Sequence, residues 1–140
     1  MNLYLDASVV VALVTTDVFT SRADSFIRTR TPILIVSDFA AAEFASLIAR
    51  RVRMREVTKQ IARVVFAELD AWMIRNTQRA ETTTADITSA ARALRRLDLT
   101  LRTADAVNIA IAQRIGATLM TFDEKMMAAA KALRVPVAAV

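Results

Sequence analysis

The chain has 140 residues, 55% hydrophobic and 24% charged, with one Gly and two Pro. That balance argues against a disordered or loop-dominated polymer and is enough for one domain, expected to span 1–140, with a sizeable core. Nineteen Lys and Arg against fourteen Asp and Glu leave a net charge of +5, which suits a polyanionic partner or simply solubility. Cys and His are absent, which excludes disulfides, thiolate or imidazole metal sites, Cys nucleophiles, Ser-His-Asp triads and histidine general bases.

The run Asn2-Leu3-Tyr4-Leu5 ends at Asp6, and Ser8 opens the apolar stretch Val9–Val14, a pattern of strand, turn and short helix that puts Asp6 at a strand end. An amphipathic helix follows over Thr20–Arg30, stopped before Pro32, then an apolar strand over Ile33–Val36. Ser37 and Asp38 are N-cap candidates for a helix over about Phe39–Arg51, and a second helix over about Glu56–Arg75 forms a hairpin with it around Arg53–Arg55. Asn76–Ala85 is polar and Thr-rich and is expected to be a loop.

A helix is predicted over about Asp86–Leu97, a turn at Asp98–Arg102, and another helix over Thr103–Ile115 with Gly116, the only glycine, as its C-cap. A third strand, Thr118–Phe122, ends at Asp123; a helix over Asp123–Leu133 and a last strand at Val135–Val137 complete the chain. Strands alternating with helices predict an α/β fold with a parallel sheet. Apolar runs such as Val9–Val14 are far shorter than the roughly 20 residues of a membrane span. No basic residue precedes the first apolar run, so no secretory signal and a cytoplasmic location are expected.

Without His or Cys, metal and acid–base chemistry falls to carboxylates, hydroxyls, Lys, Arg or Tyr, and carboxylate oxygens favour Mg²⁺ or Mn²⁺. Asp6 and Asp123 both fall at predicted strand ends, where α/β sheets gather ligands, although each has an ordinary explanation as a helix N-cap. Glu43 is the only charge between Phe39 and Ile48, and its stripe carries Phe39 and Leu47. An ionised Glu there must be paired, with Arg50 or Arg102 for example, or be protonated or metal-bound. Asp105 lies in a helical first turn, where the dipole favours it, yet the helix around it is almost wholly apolar apart from Asn108 one turn on.

Four fragments, Leu5-Asp6-Ala7-Ser8, Ala41-Ala42-Glu43-Phe44, Thr103-Ala104-Asp105-Ala106 and Gly116 to Asp123, together resemble the acidic motifs of PIN domains in their usual order, and more narrowly those of VapC toxins from toxin–antitoxin pairs. The resemblance implies a PIN-like three-layer sandwich with a short parallel sheet of four to five strands flanked by helices. It further implies a Mg²⁺- or Mn²⁺-dependent endoribonuclease in which Asp6, Glu43, Asp105 and Asp123 are catalytic and metal-binding, with Ser8, Thr121 and Asn108 in support. Asp123 corresponds to the least constant of the four. Partners implied are an RNA substrate and a cognate antitoxin.

The apolar sides of Phe26, Ile27, Val57, Ile61 and Val64 suit either a homodimer or an antitoxin groove. Two basic runs, Arg50, Arg51, Arg53, Arg55 and Lys59, and Arg92, Arg95, Arg96 and Arg102, either hold RNA phosphates beside the cleft or are solvated helix faces. Other classes compatible with the residues are a non-catalytic interaction protein whose acids only cap helices, and a nuclease acting in RNA processing without an antitoxin.

Overall fold

The runs Leu3-Tyr4-Leu5 and Leu34-Ile35-Val36 have no polar face to offer water, so each needs cover on both sides. They become adjacent parallel strands at the centre of the fold. In the computed structural model, which describes residues 1–140, the order is β1 (Asn2–Leu5), α1 (Ala7–Val14), α2 (Thr20–Arg30), β2 (Ile33–Ser37), α3 (Asp38–Arg53), α4 (Lys59–Asn76), β3 (Thr77–Ala80), α5 (Thr84–Arg95), α6 (Thr103–Arg114), β4 (Thr118–Met120) and α7 (Glu124–Ala132).

All pairings are parallel and the strand order is β3-β2-β1-β4. The alternating side chains of the strands divide the core in two. Leu3, Leu5, Leu34 and Val36 pack with residues of α1 to α4, whereas Tyr4, Ile35 and Leu119 pack with residues of α5 to α7. The result is the expected three-layer α/β sandwich. The chain leaves β1 toward β2 and β3, then returns to place β4 on the other side of β1. The carboxyl ends of β1 and β4 therefore flank the point where strand order reverses, the usual ligand crevice of an open parallel sheet.

Three sequence expectations are corrected. Thr77–Ala80, assigned to a loop over Asn76–Ala85, is an edge strand registered against Leu34–Ser37. Gln78 and Arg79 are exposed there, so no hydrophobic alternation marks it. The strand predicted over Thr118–Phe122 stops at Met120, and Thr121 just beyond it donates its hydroxyl to Asp6. Val135–Val137 contributes a single bridge, Leu119 to Val137. Helix ends also shift: α4 begins at Lys59 behind the Thr58 cap, and α5 at Thr84, where Thr83 and Asp86 make a capping box.

Gly116 has φ +65°, as its predicted C-cap role requires, but Thr31, Arg55, Leu97 and Arg134 also take left-handed backbone just beyond helices. With one glycine in the chain, these termini use side-chain-bearing residues at strained positions. No helix is long and apolar enough to cross a membrane.

Candidate active site

The parallel sheet brings three strand-end segments to one edge of the molecule. Asp6 follows β1, and Thr121 and Asp123 follow β4; Glu43 lies in the second turn of α3, which starts directly after β2. Asp105 and Asn108 come from α6, whose segment Ala106–Ala112 is buried throughout. Asp6, Ser8, Glu43, Asp105, Asn108 and Asp123 all line one open cleft of about 460 Å³, together with Ser46 and Arg102. Residues as far apart in sequence as 6 and 123 thus meet in one place.

The ordinary capping explanation turns out to hold for the three aspartates as well. Asp6 Oδ1 accepts from the backbone N–H of Val9 at 3.1 Å, Asp123 Oδ1 from that of Met126 at 2.9 Å, and Asp105 Oδ2 from that of Arg102 at 3.2 Å. Each cap engages one carboxylate oxygen at a helix N-terminus, where the dipole favours a negative charge. A carboxylate has two oxygens, and capping with one leaves the other to be aimed elsewhere.

Asp6 is the most confined of the four, 6% exposed. Ser8 Oγ donates to its Oδ1 at 2.7 Å and Thr121 Oγ1 to its Oδ2 at 2.5 Å, while Thr121 Oγ1 itself accepts from the Asp123 N–H at 3.1 Å. Burial raises the pKa of Asp6 and these donors pull it back, leaving it above the ordinary value. Glu43 Oε1 accepts from Asn108 Nδ2 at 2.6 Å. Its pKa is pushed up to about 7, first by burial and further by the charges of Asp6 and Asp105. Neither Arg50 nor Arg102 is its hydrogen-bonding partner; Asn108 is.

Arg102 spans the mouth, with Nε 3.5 Å from Asp105 Oδ2 and Nη2 3.7 Å from Asp123 Oδ2, its own side chain 80% exposed. It also lines the neighbouring cleft with Lys125 and Glu124. The other basic residues of the two runs are not in the lining of either cleft. Arg96 pairs instead with Asp98 at 3.0 Å, and Arg92 and Arg96 line a separate groove between α5 and α6. Of the basic residues singled out by sequence, Arg102 alone reaches the acids.

The donor set is all oxygen, from carboxylates and hydroxyls, which is the chemistry that hard divalent ions prefer. No three acidic side chains stand close enough together in this conformation to form a finished ligand set. The residues fit such an ion by type and by sharing a cleft; ligation would need their side chains to draw in. Two residues that touch this arrangement were given no place at the site by sequence, Tyr4 and the N-cap Ser37. Tyr4 Oη lies 2.6 Å from Asn108 Oδ1 and 2.7 Å from Ser37 Oγ. The available signal was a lone tyrosine in an otherwise apolar central strand.

The fold and the order of the motifs agree on a class. The chain matches the PIN domain family over residues 3–132 and belongs to that family. No curated protein matches it in sequence. Among solved structures it is similar to VapC20 of Mycobacterium tuberculosis, a toxin that cleaves the sarcin–ricin loop, at 21% identity and TM-score 0.72 over 91% of this chain and 94% of that one. FitAcB of Neisseria gonorrhoeae matches at 16% identity and TM-score 0.74, covering 96% and 95% of the two chains. VapBC2 of Rickettsia felis, bound to a DNA fragment from its promoter, matches at 13% identity and TM-score 0.72, covering 99% and 98%.

Proposed function

We propose that the chain is a Mg²⁺- or Mn²⁺-dependent endoribonuclease, the toxin of a toxin–antitoxin pair, which hydrolyses RNA phosphodiester bonds. The observation that carries this reading is the sharing of one cleft by Asp6, Glu43, Asp105 and Asp123 at the β1/β4 switch point. Asp6 and Asp105 are the principal metal ligands in this reading, with Glu43 and Asp123 either completing a second ion's shell or holding and deprotonating water. The bound ion supplies Lewis acidity, which polarises a phosphoryl oxygen and makes water more acidic.

The protein's own groups supply position and charge. Ser8 and Thr121 hold both oxygens of Asp6, so its orientation survives the approach of a polyanion. Asn108 does the same for one oxygen of Glu43. Arg102, exposed at the mouth, is placed to leave its carboxylates and take an RNA phosphate, and the net charge of +5 favours that encounter. No histidine is required at any point.

The reading includes protein partners, a cognate antitoxin and a second copy of the chain, and a cytoplasmic location. Support for the partners comes from similarity to VapBC2 and from an open trough lined by Leu13, Val14, Val64, Ala71 and Trp72. Ile61 and Val64 are about half exposed on the same helix, at 51% and 54%.

The deciding experiment is cleavage of end-labelled structured RNA with Mg²⁺ or Mn²⁺, with EDTA, and with Asp6→Asn. Discrete products that disappear in both controls are expected. Cleavage indifferent to Asp6, or none by the wild type, would leave a protein that keeps the fold for interaction alone.

A further inference from the structure

A polar chain crosses the apolar layer between the sheet and α6 and ends on Glu43. Ser37 Oγ accepts from the Ala40 N–H at 2.9 Å and stands 2.7 Å from Tyr4 Oη. Tyr4 Oη stands 2.6 Å from Asn108 Oδ1. Asn108 Nδ2 then donates to Glu43 Oε1 at 2.6 Å and to the Ala104 carbonyl at 3.0 Å.

Elementary donor and acceptor rules give this chain one direction. A carboxylate and a carbonyl only accept, so the Asn108 amide must turn its NH₂ toward Glu43 and Ala104 and its oxygen toward Tyr4. That oxygen also only accepts, so Tyr4 must give it the phenolic proton. Ser37 must then donate its own proton to Tyr4 Oη while its lone pair takes the Ala40 N–H. Turning the Asn108 amide over would set oxygen against oxygen at Glu43 and again at Ala104.

Tyr4 and Ser37 are 0% exposed and Asn108 is 2% exposed, so these groups are paired with one another and not with bulk water. A core needing only volume at these places would be cheaper with Phe, Ala and Leu, since a buried hydroxyl gains little over its desolvation cost. The three polar groups are fully paired only as a set, and the set has one terminus at the cleft.

We infer that Tyr4 and Ser37 are positioning residues for Glu43, acting through the Asn108 amide that their hydroxyls hold in one orientation. The inference rests on the cleft being a divalent-ion site. Neither residue lines the cleft; each acts by restricting which way the Asn108 donor points, and so where the Glu43 carboxylate sits. Tyr4 rises from the centre of β1, two residues before Asp6, so one strand both supplies a carboxylate and orients another from a different helix.

The sequence contains one tyrosine, so protein labelled with ¹³C at tyrosine Cζ gives a single resonance that reports on Tyr4 in the wild type, with no substitution. Titration with Mg²⁺, followed in parallel by calorimetry, is expected to move that resonance along the binding curve. In Asn108→Leu the resonance is expected to stop responding. Tyr4→Phe, checked for fold by circular dichroism, is expected to bind Mg²⁺ about 10-fold more weakly, the low end for loss of a group that orients a ligand.

A resonance that stays still while calorimetry records wild-type Mg²⁺ binding overturns the inference, and so does a folded Tyr4→Phe with wild-type affinity. If the wild type binds no Mg²⁺ at all, the metal-site reading fails first and takes this inference with it, an outcome the calorimetry separates from the other two. Should Tyr4→Phe not fold, the wild-type resonance decides alone.

Discussion

Thr121 Oγ1 donates to Asp6 Oδ2 at 2.5 Å, joining the carboxyl ends of β4 and β1 across 115 residues of sequence. The same hydroxyl accepts from the Asp123 N–H, so one threonine fixes a buried carboxylate and the backbone of a second. Thr121→Val keeps the shape and removes the donor. It is expected to destabilise the metal-free protein by about 1–3 kcal/mol, the cost of leaving a buried acceptor short of a partner, and to weaken Mg²⁺ binding. Chemical denaturation and calorimetry test the two effects separately.

Glu43 makes the metal-free protein sensitive to pH. Its folded pKa of about 7 exceeds the ordinary 4.5, so the folded state holds a proton that the unfolded state has released between those values. Its stabilising contribution is complete below about 4.5 and lost as pH rises through 7. Glu43→Gln is therefore expected to raise the melting temperature in EDTA more at pH 8 than at pH 5. A gain independent of pH would contradict this assignment.

Arg102 stands 3.5 Å from Asp105 and 3.7 Å from Asp123, where a cation held by the proposed site would compete with it. Arg102→Ala is expected to bind Mg²⁺ slightly more tightly and RNA less tightly. If one phosphate contact is lost, the slope of log affinity against log salt should fall by roughly 0.7 to 0.9. RNA binding measured across a salt series in EDTA, with uncleaved substrate, reads the slope directly.

Away from the cleft, Asp86 at 1% exposure receives Arg114 Nε at 2.8 Å and Arg114 Nη2 at 3.0 Å, tying α5 to α6. Burial raises its pKa, but the Arg114 and Thr83 hydrogen bonds outweigh burial and leave it below the ordinary value. The contribution is present above about pH 3.8 and lost as pH falls through the lower folded value. Asp86→Asn is expected to cost about 1.5–3 kcal/mol at pH 7, the worth of a hydrogen bond to a charged group, with the gap to wild type closing below pH 4. Urea unfolding at both pH values provides the check.

Leu97 is 90% exposed and has φ +66°. Relief of left-handed strain there should exceed the entropy cost of glycine, so Leu97→Gly is expected to stabilise by about 0.5–1 kcal/mol. Thermal unfolding of the metal-free protein would reveal a loss instead if the side chain were making a needed contact.

The order of the acidic motifs, the exclusion of His and Cys chemistry and the α/β alternation were all legible in the chain itself. Each is a local property: an apolar run of strand length, a capping residue at its end, a lone Glu on an apolar stripe. Such signals persist without knowledge of what lies opposite. The family match and the sheet order agree with the family resemblance and the α/β alternation.

Tertiary structure alone decided three further matters. Thr77–Ala80 is a strand because β2 offers it a free edge, although its own residues carry no alternation. Arg102, rather than the denser run near Arg50, stands at the acids, because helix direction and packing determine which basic face meets the cleft. Tyr4 reaches Ser37 and Asn108 across 33 and 104 residues. Periodicity records which side of an element is buried, whereas a hydrogen-bond partner depends on the geometry of another element, and that geometry exists only after the layers have packed.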